Sequence, residues 1–247
     1  CRVIKDSHEI SLIRKANHIS ALAHEKVLRK LRSFKNEAQV QAEILDVCVA
    51  HGAKHQAYDI IAGEQLSRSS QRGRQIDSLL TWVRSGPNAA ILHYIKNDED
   101  FGNRQLMCLD AGAEWQGYAA DVTRTFPLSG HWSSREAKQI YNLVQRMQTK
   151  CMDTLGPGAR FVDAQCLAHL VAIEGLLELG ILHNGSKKDI YEAGTSVAFF
   201  PHGLGHHMGL EVHDVSTVLT KSANSDMNDS VGPEDVIVTT MVDDGMC

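Results

Sequence analysis

The chain has 247 residues, a mass of 27.2 kDa and 43% hydrophobic residues, enough to build a substantial core in one large or two small domains. Its net charge of -5 and pI near 6.2 give no basic field, so nucleic acid is not expected as a partner. No run approaches the roughly 18 apolar residues of a membrane span, so no membrane partner is expected either.

The six cysteines are scattered without CxxC spacing, which argues against both a zinc knuckle and a disulfide framework. They are predicted to be reduced and mostly structural. The sequence shows no positively charged start followed by an apolar core and a small-residue cleavage site. Nothing therefore indicates secretion, and a cytosolic location is the expectation.

Four helices are predicted from apolar residues that recur at helical spacing. Asp6 with Glu9 forms a capping-box pattern ahead of the first helix, and Asn36 is predicted to cap the second, which stops at Gly52. Ser133, followed by a glutamate three residues later, predicts the start of the third. The predicted helices cover about 6–31, 36–52, 133–155 and 163–180.

Between the second and third helices the pattern shortens to apolar or β-branched runs divided by glycines, at 106–109, 114–118 and 122–126. These runs predict strands joined by tight turns. Helices grouped around such strands, without a regular alternation of the two, favour an α+β fold.

Two segments interrupt this order. Residues 64–84 are polar and basic in an otherwise acidic chain, which predicts an exposed, poorly packed insertion. Residues 216–233 are rich in Ser, Asn and Asp and have no sustained period, which predicts a loop ahead of the short apolar run at 236–238.

The strongest chemical signal is the segment DAGAEWQGYAADVTRTFP at 110–127. Asp110 and Asp121 stand at the ends of adjacent predicted strands, separated by a glycine-containing turn, so their carboxylates can converge. Hard divalent cations prefer carboxylate oxygens, and a pair of such cations needs carboxylates able to bridge them. Taken alone, an aspartate pair around a hairpin is more often a turn cap or a solvated face.

A second cluster, PHGLGHHMGLEVHD at 201–214, contains four histidines among glycines that let the backbone approach a ligand closely. Such a density of histidine favours a metal or proton-transfer site. No glutamate lies between paired histidines at HExxH spacing, so a thermolysin-like zinc site is not expected.

Together with ILHY at 91–94, these two segments resemble the three signature regions of the M24 metallopeptidases, specifically the Xaa-Pro aminopeptidase and prolidase branch and its fungal type. The resemblance covers nearly the whole chain except the predicted insertion and the tail. It implies a pita-bread fold, which is an α+β fold with pseudo-symmetric halves, in one catalytic domain at 1–247. It also implies a separate amino-terminal domain, which is expected to be absent from this chain.

By motif position, Asp110 resembles a terminal ligand of one metal ion, Asp121 the bridging aspartate, and His206 the imidazole ligand of the other ion. His207 is the weaker ligand candidate. We expect the first three side chains to share one metal-sized cavity. Three further histidines resemble those that hold the substrate and stabilise the tetrahedral intermediate: His93, His202 and His213.

The resemblance implies two divalent metal ions, usually manganese, that activate a water molecule for attack on the scissile carbonyl. The expected function is a metal-dependent aminopeptidase that releases the N-terminal residue from peptides with proline at the second position. Proline-containing peptides are therefore the expected partners. A homodimer is left open, and the sequence does not separate aminopeptidase from dipeptidase activity.

The sequence departs from the family pattern at two glutamates that complete the metal site, one in a VEPG-like segment and one in a later IED-like strand. The chain ends at Cys247 before either, so these strands are expected to be absent. Asp110 and Asp121 would offset only two of the four charges of a metal pair. We therefore expect weak metal binding and little hydrolysis by this chain, with recovery in a version extended through both glutamates.

Two alternatives stay open. A catalytically inactive fragment, or an M24-like module that binds peptides or proteins, would keep the fold while losing metal ligands. Creatinase-like or methionine-removing chemistry fits less well, because TRTFP at 123–127 and the histidine segment match the proline-specific branch better.

Overall fold

The computed structural model describes residues 2–57, 82–85, 96–214 and 239–241. Five α-helices and eight strands lie in these ranges. The helices are α1 (Ser7–Lys30), α2 (Glu37–Ala50), α3 (Arg135–Met152), α4 (Phe161–Glu178) and α5 (Lys187–Glu192). The strands are β1 (His55–Gln56), β2 (Trp82–Ser85), β3 (Leu106–Asp110), β4 (Ala113–Trp115), β5 (Tyr118–Ala119), β6 (Thr123–Pro127), β7 (Gly205–His207) and β8 (Thr239–Met241).

The chain divides into two compact units. The helix–sheet unit consists of Ser7–His131 and Gly209–Val212. The helix-pair unit consists of Cys1–Asp6, Trp132–Met208 and His213–Cys247. The assignment of residues 1–247 to one catalytic domain stays a prediction.

In the helix–sheet unit, α1 and α2 pack together over the buried face of a sheet. Ile19 and Val27 of α1 join Val40 of α2 and Leu109 of β3 in one hydrophobic cluster. Two antiparallel sheets of three strands complete the unit, with the orders β2-β3-β6 and β1-β4-β5. The mixture of long helices with antiparallel strands agrees with the predicted α+β class.

The predicted end signals of α2 are confirmed. The side chain of Asn36 accepts a hydrogen bond from the backbone N–H of Gln39 at 3.0 Å, which satisfies a donor that the first helical turn leaves open. Gly52 follows the helix with a φ of 85°, in the left-handed region that glycine enters at little cost.

The predicted run at 114–118 is not one strand. Gln116 and Gly117 have φ values of 51° and 83° and form a two-residue turn between β4 and β5. Positive φ at both central positions gives a hairpin turn whose twist matches that of antiparallel strands. The aromatic residues of the run, Trp115 and Tyr118, lie in strands as predicted, but the turn lies between them.

In the helix-pair unit, α3 and α4 pack closely around Leu143, Met147 and Leu176. Gly175 allows this approach, because a Cβ atom there would lie 2.2 Å from the Cδ1 atom of Leu143. Helix α3 begins one residue later than predicted, since Ser134 is the residue that accepts the capping hydrogen bond.

Trp82–Ser85 forms β2 and pairs with β3, so the last three residues of the predicted 64–84 insertion belong to a sheet. The rest of that segment and the predicted 216–233 loop lie outside the described residues. The four cysteines in the described ranges are free thiols, and three of them are buried, as expected of reduced structural residues. Among the helices described, none combines the length and apolar character needed to cross a membrane.

Candidate metal centre

Asp110 and Asp121 are placed by the ladder between β3 and β6. Asp110 is the last residue of β3 and pairs with Thr123, the first residue of β6. The pairing continues one step further, because the N–H of Ala111 donates to the carbonyl of Val122 at 3.0 Å. Both aspartates are half-buried.

This register puts the two aspartates on one face of the ladder. Asp110 and Thr123 are cross-strand partners and share a face, and Asp121 precedes Thr123 by two residues. Side chains two residues apart in extended chain point the same way, so Asp121 is the diagonal neighbour of Asp110. The backbone register therefore supports the prediction that the carboxylates of Asp110 and Asp121 can converge.

Helix α1 fixes the turn that follows Asp110. Ser20 Oγ accepts a hydrogen bond from the N–H of Ala113 at 2.9 Å, and His24 Nε2 donates to the carbonyl of Ala111 at 3.1 Å. Burial lowers the pKa of His24 to about 4, and the positive charge of Arg124 acts in the same direction. His24 is therefore a neutral donor near pH 7. No local sequence pattern marks this residue, because its partner lies 87 positions away.

His206 is the central residue of β7 and pairs with Thr240 of β8. Its Nδ1 atom lies 3.0 Å from the carbonyl oxygen of His207. A carbonyl oxygen can only accept, so Nδ1 carries the proton, and in the neutral ring the lone pair is on Nε2. An imidazole that donates one ring N–H to a backbone carbonyl and binds through the other nitrogen is the usual arrangement of a metal-ligating histidine.

The carbonyl oxygen of His207 also positions the segment that contains His213. It accepts a second hydrogen bond from the backbone N–H of Asp214 at 2.9 Å, which brings the 213–214 segment back to β7. The rings of His206 and His213 then lie with their centroids 4.1 Å apart at an interplanar angle of 40°. The structure therefore brings together one predicted metal ligand and one predicted substrate-binding histidine.

Asp214 anchors this arrangement through its carboxylate. Lys5 Nζ donates to it at 3.0 Å, and Arg2 donates to its other oxygen. The side chains of Lys5 and Asp214 are each 1% exposed, so the pair is desolvated. None of these three residues was singled out in the sequence, since the partners are separated by more than 200 positions.

His207 differs from its neighbour. Its Nδ1 atom is buried and has no hydrogen-bond partner among the described residues. Burial lowers its pKa, the charge of Lys5 lowers it further, and Asp214 acts in the opposite direction. His207 thus lacks the orienting hydrogen bond that His206 makes, and its place as the weaker ligand candidate stays a prediction.

The remaining predicted residues are placed less fully. His202 is half-buried and lies in the turn before β7. His93 and the ILHY segment lie outside the described residues. The carboxylates of Asp110 and Asp121 and the imidazole of His206 are oxygen and nitrogen donors of the kind that bind divalent first-row metals, so each of these side chains suits such an ion by its chemistry.

Comparison with known proteins shows which family the chain resembles. A family model described as metallopeptidase family M24 matches residues 11–242. A probable Xaa-Pro aminopeptidase from Phaeosphaeria nodorum is 60% identical over 214 residues, which cover 87% of this chain and 24% of that protein. A probable Xaa-Pro aminopeptidase from Aspergillus fumigatus is 54% identical over 215 residues, which cover 87% of this chain and 40% of that protein. The chain thus spans less than half the length of these relatives.

Solved structures give the same result. Zinc-substituted Escherichia coli aminopeptidase P in complex with product superposes with a TM-score of 0.74 at 31% identity, over 87% of this chain and 44% of that one. The same enzyme with the inhibitor Pro-Leu gives a TM-score of 0.74 at 32% identity, over the same shares of the two chains. These matches confirm the predicted pita-bread fold.

Proposed function

This chain belongs to metallopeptidase family M24, and on that premise we propose that the protein carrying it is a metal-dependent aminopeptidase acting on peptides with proline second. The observation that carries the proposal is the family match over residues 11–242, together with relatives described as Xaa-Pro aminopeptidases. The product and Pro-Leu complexes of Escherichia coli aminopeptidase P support the same substrate class.

Asp110, Asp121 and His206 are the proposed metal ligands. The shared face of the two aspartates on the β3–β6 ladder supports their assignment. The Nδ1 hydrogen bond of His206 supports metal binding through its Nε2 atom. Two divalent ions, proposed to be Mn²⁺, would supply Lewis-acid activation of a water molecule and of the scissile carbonyl.

The other histidines are proposed to act on the substrate. His213 would donate an N–H to the carbonyl oxygen as negative charge develops on it, and a donor held in place before the reaction stabilises that charge without reorganisation. The backbone contact of Asp214 to β7 supports this role, because it fixes the segment on which His213 stands. His93 and His202 are proposed to hold the peptide.

Proline at the second position removes the N–H from the scissile amide, so the enzyme has to recognise a ring where other peptides offer a donor. We propose that recognition of the proline ring makes the enzyme cleave Xaa-Pro peptides in preference to peptides that differ only in their second residue. A location in the cytosol and assembly as a homodimer stay predictions from the sequence.

The test is the release of the N-terminal amino acid from an Xaa-Pro-Xaa tripeptide and from its Xaa-Ala-Xaa counterpart by the whole protein. Mn²⁺ and Zn²⁺ are added separately, because a solved relative is described as zinc substituted. We expect hydrolysis of the proline peptide only. Loss of several kcal/mol of metal stabilisation in Asp121→Asn lowers kcat/KM by about a thousandfold.

Two matched controls come from the chain itself. Asp46→Asn removes an exposed aspartate of α2 and leaves activity unchanged. His206→Ala abolishes activity and metal binding, whereas His207→Ala retains most of both. Turnover that is independent of added metal, or that survives in Asp121→Asn and His206→Ala, would contradict the proposal. Peptide binding without turnover would favour the binding-module alternative.

A further inference from the structure

A chain of side-chain hydrogen bonds leads from α4 to the residue just before β7. The backbone N–H of Leu204 donates to Gln165 Oε1 at 2.5 Å, and Gln165 Nε2 lies 2.9 Å from His169 Nε2. His169 Nδ1 lies 3.0 Å from the hydroxyl oxygen of Ser196. All four residues belong to the helix-pair unit.

The direction of every bond in this chain follows from Leu204. A backbone N–H can only donate, so the Gln165 atom facing it is the oxygen, and the atom facing His169 is the NH₂ group. Nε2 of His169 must then accept, and in the neutral ring the proton is on Nδ1. That N–H donates to Ser196 Oγ.

This order excludes a nucleophilic role for Ser196. A serine nucleophile needs a histidine nitrogen that can take its proton, but the nitrogen facing Ser196 already carries one. Ser196 is also buried, with 2% of the residue exposed. The histidine and serine therefore serve as a hydrogen-bonded support instead of a catalytic pair.

The surroundings of His169 keep the ring neutral. Phe200 packs on it with ring centroids 5.1 Å apart, and Tyr191 meets it edge-on at 6.5 Å. Burial lowers the pKa of His169. A hydrogen bond with Cys166 raises the pKa of Tyr191, so this phenol is uncharged wherever His169 titrates.

We propose that His169 is a positioning residue that sets the place of His206 by holding Gln165 in the orientation that accepts from Leu204. Leu204 is the residue immediately before β7, and His206 follows it by two residues. The inference rests on the proposed function, because it takes His206 as a metal ligand. The position of His206 depends on the acceptor at Nε2 of His169 and not on the bond between His169 and Ser196.

Two amide substitutions separate these bonds. In His169→Gln, the side chain reaches the position of Nε2 and can accept from Gln165, but it loses the donor to Ser196. In His169→Asn, the shorter side chain can donate to Ser196 but offers Gln165 no acceptor. A role in the Ser196 bond alone would make asparagine the milder change.

The experiment measures Mn²⁺ affinity, hydrogen exchange of the Leu204 amide and unfolding by urea in the whole protein. We expect His169→Asn to weaken Mn²⁺ binding by about 10- to 100-fold, as loss of an orienting partner does. Exchange at Leu204 should be about tenfold faster. His169→Gln should stay within threefold of the unmodified protein in both measurements.

Gln165→Met, at a half-buried position, provides a second variant and should match His169→Asn. Gln165→Glu has no N–H for His169 but presents a carboxylate oxygen to Leu204 in either orientation, so its Leu204 exchange should match that of His169→Gln. Equal effects of Gln and Asn at 169, or greater damage from Gln, would overturn the inference. If the unmodified protein binds no Mn²⁺, the proposed Mn²⁺ assignment fails, and Leu204 exchange in the four variants still decides whether His169 positions this segment.

Discussion

The two compact units hold their proposed functional residues in different ways. In the helix–sheet unit, Asp110 and Asp121 stand on a backbone ladder that residues of one sheet form with each other. In the helix-pair unit, β7 is a three-residue strand that pairs with β8, and its histidine segment is held in addition by side chains, above all the carboxylate of Asp214 and the amide of Gln165.

The aspartates are held mainly by backbone hydrogen bonds, which do not depend on residue type. The histidine segment also depends on single side chains. A ladder survives most substitutions, because every residue contributes the same backbone groups. A buried side-chain network loses its function when one member is removed, since the partner is left without its hydrogen bond. Substitutions should therefore be tolerated better around the aspartates than around the histidines.

The largest effect on stability is expected from Asp214→Ala. The substitution leaves the ammonium group of Lys5, with a side chain 1% exposed, buried without its counter-ion. Breaking a buried pair from one side costs about 4 kcal/mol. Urea denaturation should show this loss in the free energy of unfolding.

Lys5→Met provides the matched control for this pair. It removes the buried charge itself, and Arg2 still binds the carboxylate, so the expected cost is only about 2 kcal/mol. If the two substitutions cost the same, Lys5 does not depend on Asp214 as its counter-ion, and the contrast between the units is weaker than proposed.

A middle-sized effect is expected at His24, which is the side-chain support of the helix–sheet unit. Its pKa is about 4 in the folded chain and near 6.5 when exposed, so between these values the unfolded chain binds a proton that the folded chain does not. Stability contributed by the neutral ring is complete above pH 6.5 and declines as the pH falls to about 4. At roughly 1.4 kcal/mol per pH unit, the total loss is about 3 kcal/mol.

The control is His24→Gln, which keeps a donor near the position of Nε2 but does not titrate. Unfolding by urea is measured for both proteins from pH 7.5 to pH 4. The free energy of unfolding of the unmodified protein, minus that of His24→Gln, should fall by about 3 kcal/mol between pH 7.5 and pH 4. Parallel curves for the two proteins would refute a neutral, buried His24.

Local signals explain which parts of the fold could be predicted from the sequence. The cap at Asn36, the left-handed Gly52 and the β3 and β6 runs depend on neighbours in the chain, and all were recognised. The turn at Gln116 and Gly117 was missed because a two-residue turn interrupts the apolar pattern too briefly to be seen.

Long-range contacts explain what could not be predicted. Lys5 meets Asp214 across 209 positions, and His24 meets Ala111 across 87, so no window of sequence contains both partners. The histidines of the 201–214 segment were found because they are dense. The residues that orient them, such as Gln165 and His169, are ordinary in composition and became visible only in three dimensions.

The smallest effect is expected from the two helix caps, and it tests whether the units differ only in their long-range contacts. Asn36 caps α2 in the helix–sheet unit, and Ser134 caps α3 in the helix-pair unit, each accepting one backbone N–H at 3.0 Å and 3.1 Å. Replacement of either by Ala leaves that donor without its side-chain acceptor and costs about 1 kcal/mol. Asn36→Asp and Ser134→Thr keep an acceptor oxygen and should cost little.

Equal losses for the two alanine variants, measured by urea denaturation, would show that local helix signals have the same strength in both units. A loss several times larger at Ser134 would mean that even local signals in the helix-pair unit are coupled to its side-chain network, and that the two units differ in local as well as long-range contacts.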